Sequence, residues 1–121
     1  MDTRIGYKIV RIISLVGFKS ATNIGKEVDY FVGIPTDRPP FCGPLTVFDS
    51  LFAARQFYEE SKKVDVPYTI FRCEYEESFD MSVWNGEIDG NHLYPRPLHC
   101  LPFGTLLANK ITLLEEVPYV N

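Results

Sequence analysis

The strongest constraint on the fold is the stretch GPLTVFDSLFAARQFYEE at residues 43–60, where a strand pattern passes directly into a helix pattern. Residues 45–48, LTVF, are apolar or β-branched and predict a short strand. At about 100° per residue, the pattern that follows gathers apolar side chains on one helical face: Leu51, Ala54, Phe57 and Tyr58. We therefore predict one main helix over about residues 50–63, packed by this face on a sheet.

The junction residues Asp49 and Ser50 either begin the helix or perform chemistry. A side-chain oxygen at this position accepts a hydrogen bond from an otherwise unpaired N–H of the first helical turn. A nucleophilic Ser50 would need a general base, and the surrounding VFDSL lacks the glycines of a nucleophile elbow. We predict that Asp49 or Ser50 caps the helix.

Phe52 departs from the helical pattern, because its position projects it away from the apolar face. Two interpretations stay open: a neighbouring loop covers the ring, or the ring contacts a partner. Phe52 is therefore a candidate contact residue.

The rest of the chain alternates strand patterns with loop patterns. Strands are predicted at residues 5–16, 29–34, 67–75, 81–88 and 110–117, and the first carries apolar side chains on both faces, which is typical of a strand covered on both sides. Four prolines in residues 35–44 predict an extended loop around Phe41, and Asn85 with Gly86 predicts a hairpin turn beside Trp84. The elements together predict one compact α+β domain over residues 1–121, with a twisted, mostly antiparallel sheet of about six strands and the helix on one face.

Charge and composition exclude several classes of function. A net charge of −4 argues against a nucleic-acid binder, and the nearest basic pair, Lys62 and Lys63, is typical of a solvated helix end. No apolar run approaches the about 18 residues that cross a bilayer, and the N-terminus lacks a signal-peptide core, so we expect a cytoplasmic protein without membrane contact. The three cysteines have neither disulfide nor zinc spacing, and nucleotide-cofactor motifs are absent, so we expect reduced thiols, no metal and no cofactor. They are Cys42, Cys73 and Cys100.

Two arginines, Arg11 and Arg72, lie among apolar residues of predicted strands. A buried guanidinium needs a partner, because unpaired burial of a charge is expensive. Each arginine is expected to pair with a strand carboxylate such as Glu74 or Glu115, to reach water at a sheet edge, or to bind an anion.

Three short motifs resemble those of small ADP-ribosyltransferase-like domains: YKIVR on the first strand, TVFDSLFAARQF across the strand-to-helix junction, and LPFGT before the last strand. The resemblance covers about a third of the chain and is one of fold. It implies that Arg11 belongs to the first motif, that Ser50 supports nicotinamide-ribose binding, and that an acidic residue just before the final turn serves catalysis. The positions where that glutamate is expected are Pro97, Leu98 and His99, so the family's catalytic residue is not matched.

The leading interpretation is a small binding or protein-interaction domain without catalytic activity. Its candidate contact residues are Phe41, Phe52 and Trp84, because aromatic and proline-rich surfaces combine large apolar area with limited conformational freedom. Chains of this type suit viral or mobile-element accessory proteins.

Two other interpretations stay open. In the first, an ADP-ribosyltransferase-like or nucleotide-binding domain brings Arg11, Ser50 and Arg72 together in a concave pocket. In the second, the protein forms a homodimer through an exposed sheet edge. An exposed apolar patch around Phe41 or Phe52 would favour the interaction domain.

Overall fold

The computed structural model describes residues 3–13, 17–20, 28–61, 67–84 and 86–118. The predictions for Lys62, Lys63 and Asn85, and the last residues of the first predicted strand, lie outside this part of the chain. The described residues contain eleven strands, one α-helix and one 3-10 turn. In chain order they are β1 (Thr3–Ile12), β2 (Phe18–Ser20), β3 (Asp29–Tyr30), β4 (Thr36–Asp37), β5 (Leu45–Phe48), α1 (Leu51–Ser61), β6 (Tyr68–Glu77), β7 (Ser82–Val83), β8 (Glu87–Ile88), β9 (Asn91–His92), β10 (Arg96–Pro97), the 3-10 turn Leu98–Cys100, and β11 (Thr105–Val117).

Seven of these strands form the main sheet, and the other four form two small two-stranded sheets. β6 is central, with β1 antiparallel on one side and β11 antiparallel on the other. β5 pairs with β11 along its length and meets β1 where Tyr7 lies opposite Phe48. The strands β1, β6, β11 and β5 therefore close into a ring, which β2 and β3 extend at β1 and β4 extends at β11.

Within the described residues, the α+β class, the mostly antiparallel sheet and the single α-helix agree with the sequence prediction, but the main sheet has seven strands where about six were predicted, and two small sheets accompany it. Successive side chains of a strand point to opposite faces, so β1 contributes to two separate apolar clusters. Val10 lies in the cluster inside the ring, and Ile9 lies in the cluster beneath α1. The inner cluster also contains Val47, Phe71, Cys73, Ile111 and Leu113, all at most 3% exposed. β1 is thus covered on both sides, as its sequence predicts.

The helix packs closely on the outer face of the ring because two residues of its first turn are small. Ala53 and Ala54 are 1% and 0% exposed and belong to one cluster with Phe48 and Ile70. The predicted apolar face is therefore the buried one, while Phe52 projects into solvent.

Several strand predictions need correction. The strand predicted at residues 29–34 is limited to β3, because the chain reverses at Gly33, which has a φ of 80°. The tight hairpin turn lies at Asp89 and Gly90, between β8 and β9, where both residues have the positive φ that such a turn requires. The regions predicted as loops contain β2, which pairs with the neighbouring strand β1, and β4, whose partner β11 is distant in sequence.

Within the described residues, no helix has both the length and the apolar character that a membrane span needs.

Candidate functional site

The predicted cap at the start of α1 is present. Ser50 Oγ accepts a hydrogen bond from the Ala53 N–H at 3.1 Å, and the Ser50 carbonyl accepts from the Ala54 N–H at 3.1 Å. Asp49 is exposed, and its main-chain N–H donates to the carbonyl of Gly104 at 2.9 Å. The hydroxyl of Ser50 is thus used in starting the helix.

Arg11 and Arg72 lie on the helix side of the sheet, at opposite ends of the cluster beneath α1. Arg11 lies opposite Tyr68, which is four residues from Arg72 along β6, a separation of about 13 Å at the usual strand rise. Arg72 Nε is 2.6 Å from Glu115 Oε1, which confirms the predicted pairing with a strand carboxylate. The intervening pair of Ile9 and Ile70 is buried.

In the part of the chain that the structure describes, two grooves lie beside the helix, and neither is lined by Arg11, Ser50 or Arg72. The larger, of about 140 Å³, lies between α1 and the ends of β6 and β11. The smaller, of about 60 Å³, lies between α1 and the turn at Pro102 and Phe103. Neither groove brings the three polar candidates together.

Trp84 is held by the loop at residues 41–43, which is distant in sequence, and by His92 of β9. Its indole Nε1–H donates to the carbonyl of Phe41 at 3.2 Å, and its ring stacks on His92 with centroids 3.8 Å apart and planes 1° from parallel. Its main-chain carbonyl accepts from the Gly43 N–H at 2.9 Å. A Cβ on Gly43 would lie 2.5 Å from the main-chain nitrogen of Trp84, so only glycine permits this approach.

A single arginine, Arg38, ties the Trp84 region together. Its guanidinium donates to the carbonyl of Cys42, to Asn109 Oδ1 at 3.0 Å and to Asp80 Oδ2 at 2.7 Å. It also lies over the ring of Trp84, 5.2 Å from the centroid. This fork of donors fixes the relative positions of the segments that carry Phe41, Asp80 and Trp84.

Electrostatics at Asp80 agree with that geometry. Burial acts to raise the pKa of the Asp80 carboxyl, but hydrogen bonds from Arg38 and Ser78, together with the charge of Arg38, outweigh it and hold the pKa below its usual value. The carboxylate is therefore held in its charged form beside the guanidinium.

Segments in and next to this network also carry large apolar side chains that are exposed to solvent. Phe41 is 71% exposed and Tyr94 is 81% exposed, and both have a positive φ, 62° and 50°, which is unusual for an aromatic residue. Phe79 and Met81, which flank Asp80, are 87% and 73% exposed. We name the set Phe41, Phe79, Met81, Trp84 and Tyr94 the Trp84 surface.

Phe52 belongs to a different part of the surface. It is 71% exposed on the first turn of α1, and the turn that carries the exposed Phe103 approaches the same end of the helix. The two aromatic candidates Phe41 and Phe52 are thus both accessible.

The sequence analysis missed a buried lysine inside the ring. Lys8 is 3% exposed, and its ammonium donates to the Thr46 carbonyl at 2.8 Å and lies 5.5 Å from the ring centroid of Tyr30. Burial lowers the pKa of Lys8 to about 8, while the nearby Cys73 acts in the opposite direction. Its alternation with Val10 on the inward face of a doubly covered strand was the available signal.

Burial has the opposite effect on the acidic groups near Lys8. It raises the pKa of the Cys73 thiol to about 12 and raises the pKa of the Tyr30 phenol, so both stay neutral at ordinary pH. No hydrogen-bond partner for Tyr30 Oη is found in the part of the chain described. Among the same residues, no group of three His, Cys, Asp or Glu side chains is arranged to hold a metal ion.

No family model, curated protein or solved structure matches the chain.

Proposed function

We propose that the protein is a non-catalytic binding domain that contacts a protein partner through the Trp84 surface. The observation that supports this most directly is a pair of exposed aromatic residues with positive φ: Phe41, whose carbonyl accepts from the Trp84 indole, and Tyr94, two residues after the His92 that stacks on Trp84. Strained backbone that presents large apolar side chains to water costs free energy in the isolated protein. Contact with a partner would recover that cost.

The polar network beneath the surface adds a second argument. Arg38, Asp80 and Trp84 hold the aromatic segments in place through contacts that do not depend on a ligand. An anchor that is already ordered loses little conformational entropy on binding, so its apolar area contributes more fully to affinity. Exposed aromatic anchors over a rigid base are typical of interaction hot spots.

The test compares two phenylalanines that share residue type and exposed fraction. Phe41 and Phe52 are both 71% exposed, so Phe41→Ala and Phe52→Ala remove equal groups from different surfaces. The partner is captured by proximity labelling in cells, and its direct binding to the purified domain is then measured with both variants. We expect Phe41→Ala to weaken binding by about tenfold or more and Phe52→Ala to change it little. Equal affinity for Phe41→Ala and the unmodified protein would overturn the proposal.

The nucleotide-binding alternative remains a prediction with less support. A nucleotide at Ser50 and Arg72 would have to displace the cap bond to Ala53 and the ion pair with Glu115. Thermal unfolding with NAD and with ADP-ribose tests it, because a ligand of the native state raises its stability. A rise in Tm that Arg11→Ala or Arg72→Ala removes would support the alternative against our proposal.

Two finer points belong to the same proposal. A homodimer through a sheet edge would use β3 or β4, the outer strands of the main sheet, each only two residues long. Light scattering across a wide concentration range tests this, and a constant monomer mass would count against it. We further propose a reducing, cytoplasmic location, since the cysteines described are free, and an accessory role of the viral or mobile-element kind.

A further inference from the structure

The larger groove beside α1 has the composition of a small-ligand site that is separate from the Trp84 surface. Its apolar lining comes from four elements and includes Ile12 of β1, Tyr58 of α1, Tyr68 and Ile70 of β6, and Val117 of β11. Its volume of about 140 Å³ is close to that of an engineered cavity that binds benzene, about 150 Å³. The groove can therefore enclose one apolar side chain of roughly that size.

Arg55 and Glu116, which carry opposite charges, line the same groove but do not form an ion pair with each other. Within the described part of the chain, Arg55 makes no ion pair or hydrogen bond, and none joins it to Glu116. Glu116 accepts a hydrogen bond from Thr69 Oγ1 at 2.8 Å through its Oε1. That bond positions the carboxylate and leaves Oε2 without a partner among the described residues.

We propose that this groove binds a small zwitterion with an apolar side chain, the chemistry of a hydrophobic α-amino acid. The ligand carboxylate contacts the guanidinium of Arg55, whose planar donors suit a carboxylate. The ligand ammonium contacts Glu116, and the side chain lies between Tyr58 and Tyr68 over Ile70. A simple anion would be opposed by Glu116, and a simple cation would be opposed by Arg55, so a ligand that carries both charges fits best.

The first test uses the unmodified protein and a series of ligands that differ by one charge. Amide chemical shifts are followed by NMR while L-phenylalanine or L-leucine is added. N-acetyl-phenylalanine, which lacks the ammonium, and phenylalaninamide, which lacks the carboxylate, are the controls. We expect saturable shifts at Tyr68, Thr69 and Glu116 with both amino acids and about tenfold weaker binding of each control. Absence of saturable shifts with the amino acids, or equal binding of the controls, would overturn the proposal.

The second test changes the protein. Arg55→Gln and Glu116→Gln remove one charge each. Glu116→Gln keeps the size of the side chain, and its amide oxygen can still accept from Thr69, whereas Arg55→Gln also shortens the side chain. Arg96→Gln and Glu87→Gln make the same changes at exposed residues outside the groove. We expect only the first pair to weaken L-phenylalanine binding, by about tenfold. Equal affinity for Arg55→Gln and Arg96→Gln contradicts the assignment, and the ligand series decides the question if a variant fails to fold.

Discussion

The ammonium of Lys8 donates a hydrogen bond to the main-chain carbonyl of Thr46 at 2.8 Å, from within the ring of strands. β1 pairs with β5 only where Tyr7 lies opposite Phe48, and from Val10 onward the same edge of β1 pairs with β2. Lys8 therefore lies where the two strands part, and its side chain takes the place of a main-chain donor. The arrangement satisfies the carbonyl but keeps a cation out of water.

Stability should depend on pH through Lys8. The unfolded lysine holds its proton to about pH 10.4, whereas burial lowers the folded pKa to about 8. Between these values the unfolded state binds more protons, so this group makes stability rise with pH. We expect the free energy of unfolding of the unmodified protein to gain about 1 kcal/mol relative to Lys8→Met between pH 8 and 9. Urea unfolding of both proteins measures it.

The difference between the two proteins is the quantity to compare, since neighbouring groups act in the opposite direction. Above about pH 9 the unfolded Cys73 ionises while the folded thiol, with its pKa raised to about 12, does not, so stability falls. Tyr30 acts likewise at higher pH because burial raises its pKa. A constant difference between pH 8 and 9 would show that Lys8 is not buried as a cation.

Loss of the helix cap should destabilise the protein modestly. Ser50→Ala removes the acceptor of the Ala53 N–H and is expected to cost about 1 kcal/mol in the free energy of unfolding, whereas Ser50→Asp keeps an acceptor. Chemical denaturation measures both. Asp49→Ala is the control, with an expected change within about 0.5 kcal/mol because its side chain is exposed. A larger loss of stability for Asp49→Ala than for Ser50→Ala would show that Asp49, and not Ser50, caps the helix.

A methyl group on Gly43 should disturb Trp84. The new Cβ would lie 2.5 Å from the main-chain nitrogen of Trp84 and 2.9 Å from its ring. The segments that carry Gly43 and Trp84 must therefore separate, which should lower the free energy of unfolding by about 1–3 kcal/mol. Trp84 is the single tryptophan, so its fluorescence reports the change directly. Gly90→Ala is the control: its φ of 79° makes alanine strained, but no atom lies within 4 Å. Both variants should lose stability, and only Gly43→Ala should shift the emission maximum.

Replacing Arg38 by lysine should loosen the base of the Trp84 surface. A single ammonium cannot reproduce the donors to Cys42, Asp80 and Asn109, and we expect a loss of about 1–3 kcal/mol. The comparison is Arg72→Lys, which affects one exposed ion pair and is expected to cost less than about 1 kcal/mol. Equal losses in the free energy of unfolding would show that the Arg38 network contributes no more to stability than one exposed ion pair does.

The same substitution should raise the pKa of Asp80, which NMR titration of its carboxyl group can follow. In the unmodified protein this pKa lies below its usual value, so the associated stability is present above the unfolded pKa and is lost as pH falls through the folded one. Arg38→Lys should therefore lose less additional stability on acidification. A carboxyl pKa that does not move would show that the hydrogen bond from Arg38 does not hold Asp80 charged.

The sequence by itself determined the features that depend on neighbouring residues. The helix, a cap at Asp49 or Ser50, and the projection of Phe52 away from the apolar face follow from a period of about 3.6 residues and from the chemistry of one turn. β1 is covered on both faces because apolar residues occupy both its odd-numbered and its even-numbered positions. The antiparallel sheet with one helix follows from the order of these patterns.

Tertiary structure alone decided what depends on pairings between distant residues. Trp84 and Phe41 are 43 residues apart, and Arg38 and Asn109 are 71 apart, so no local pattern links them. β2 and β4 exist because longer strands offer them hydrogen bonds, and two or three residues carry too little pattern to predict a strand. Lys8 is buried because the strands close into a ring, and that closure is a property of the whole sheet.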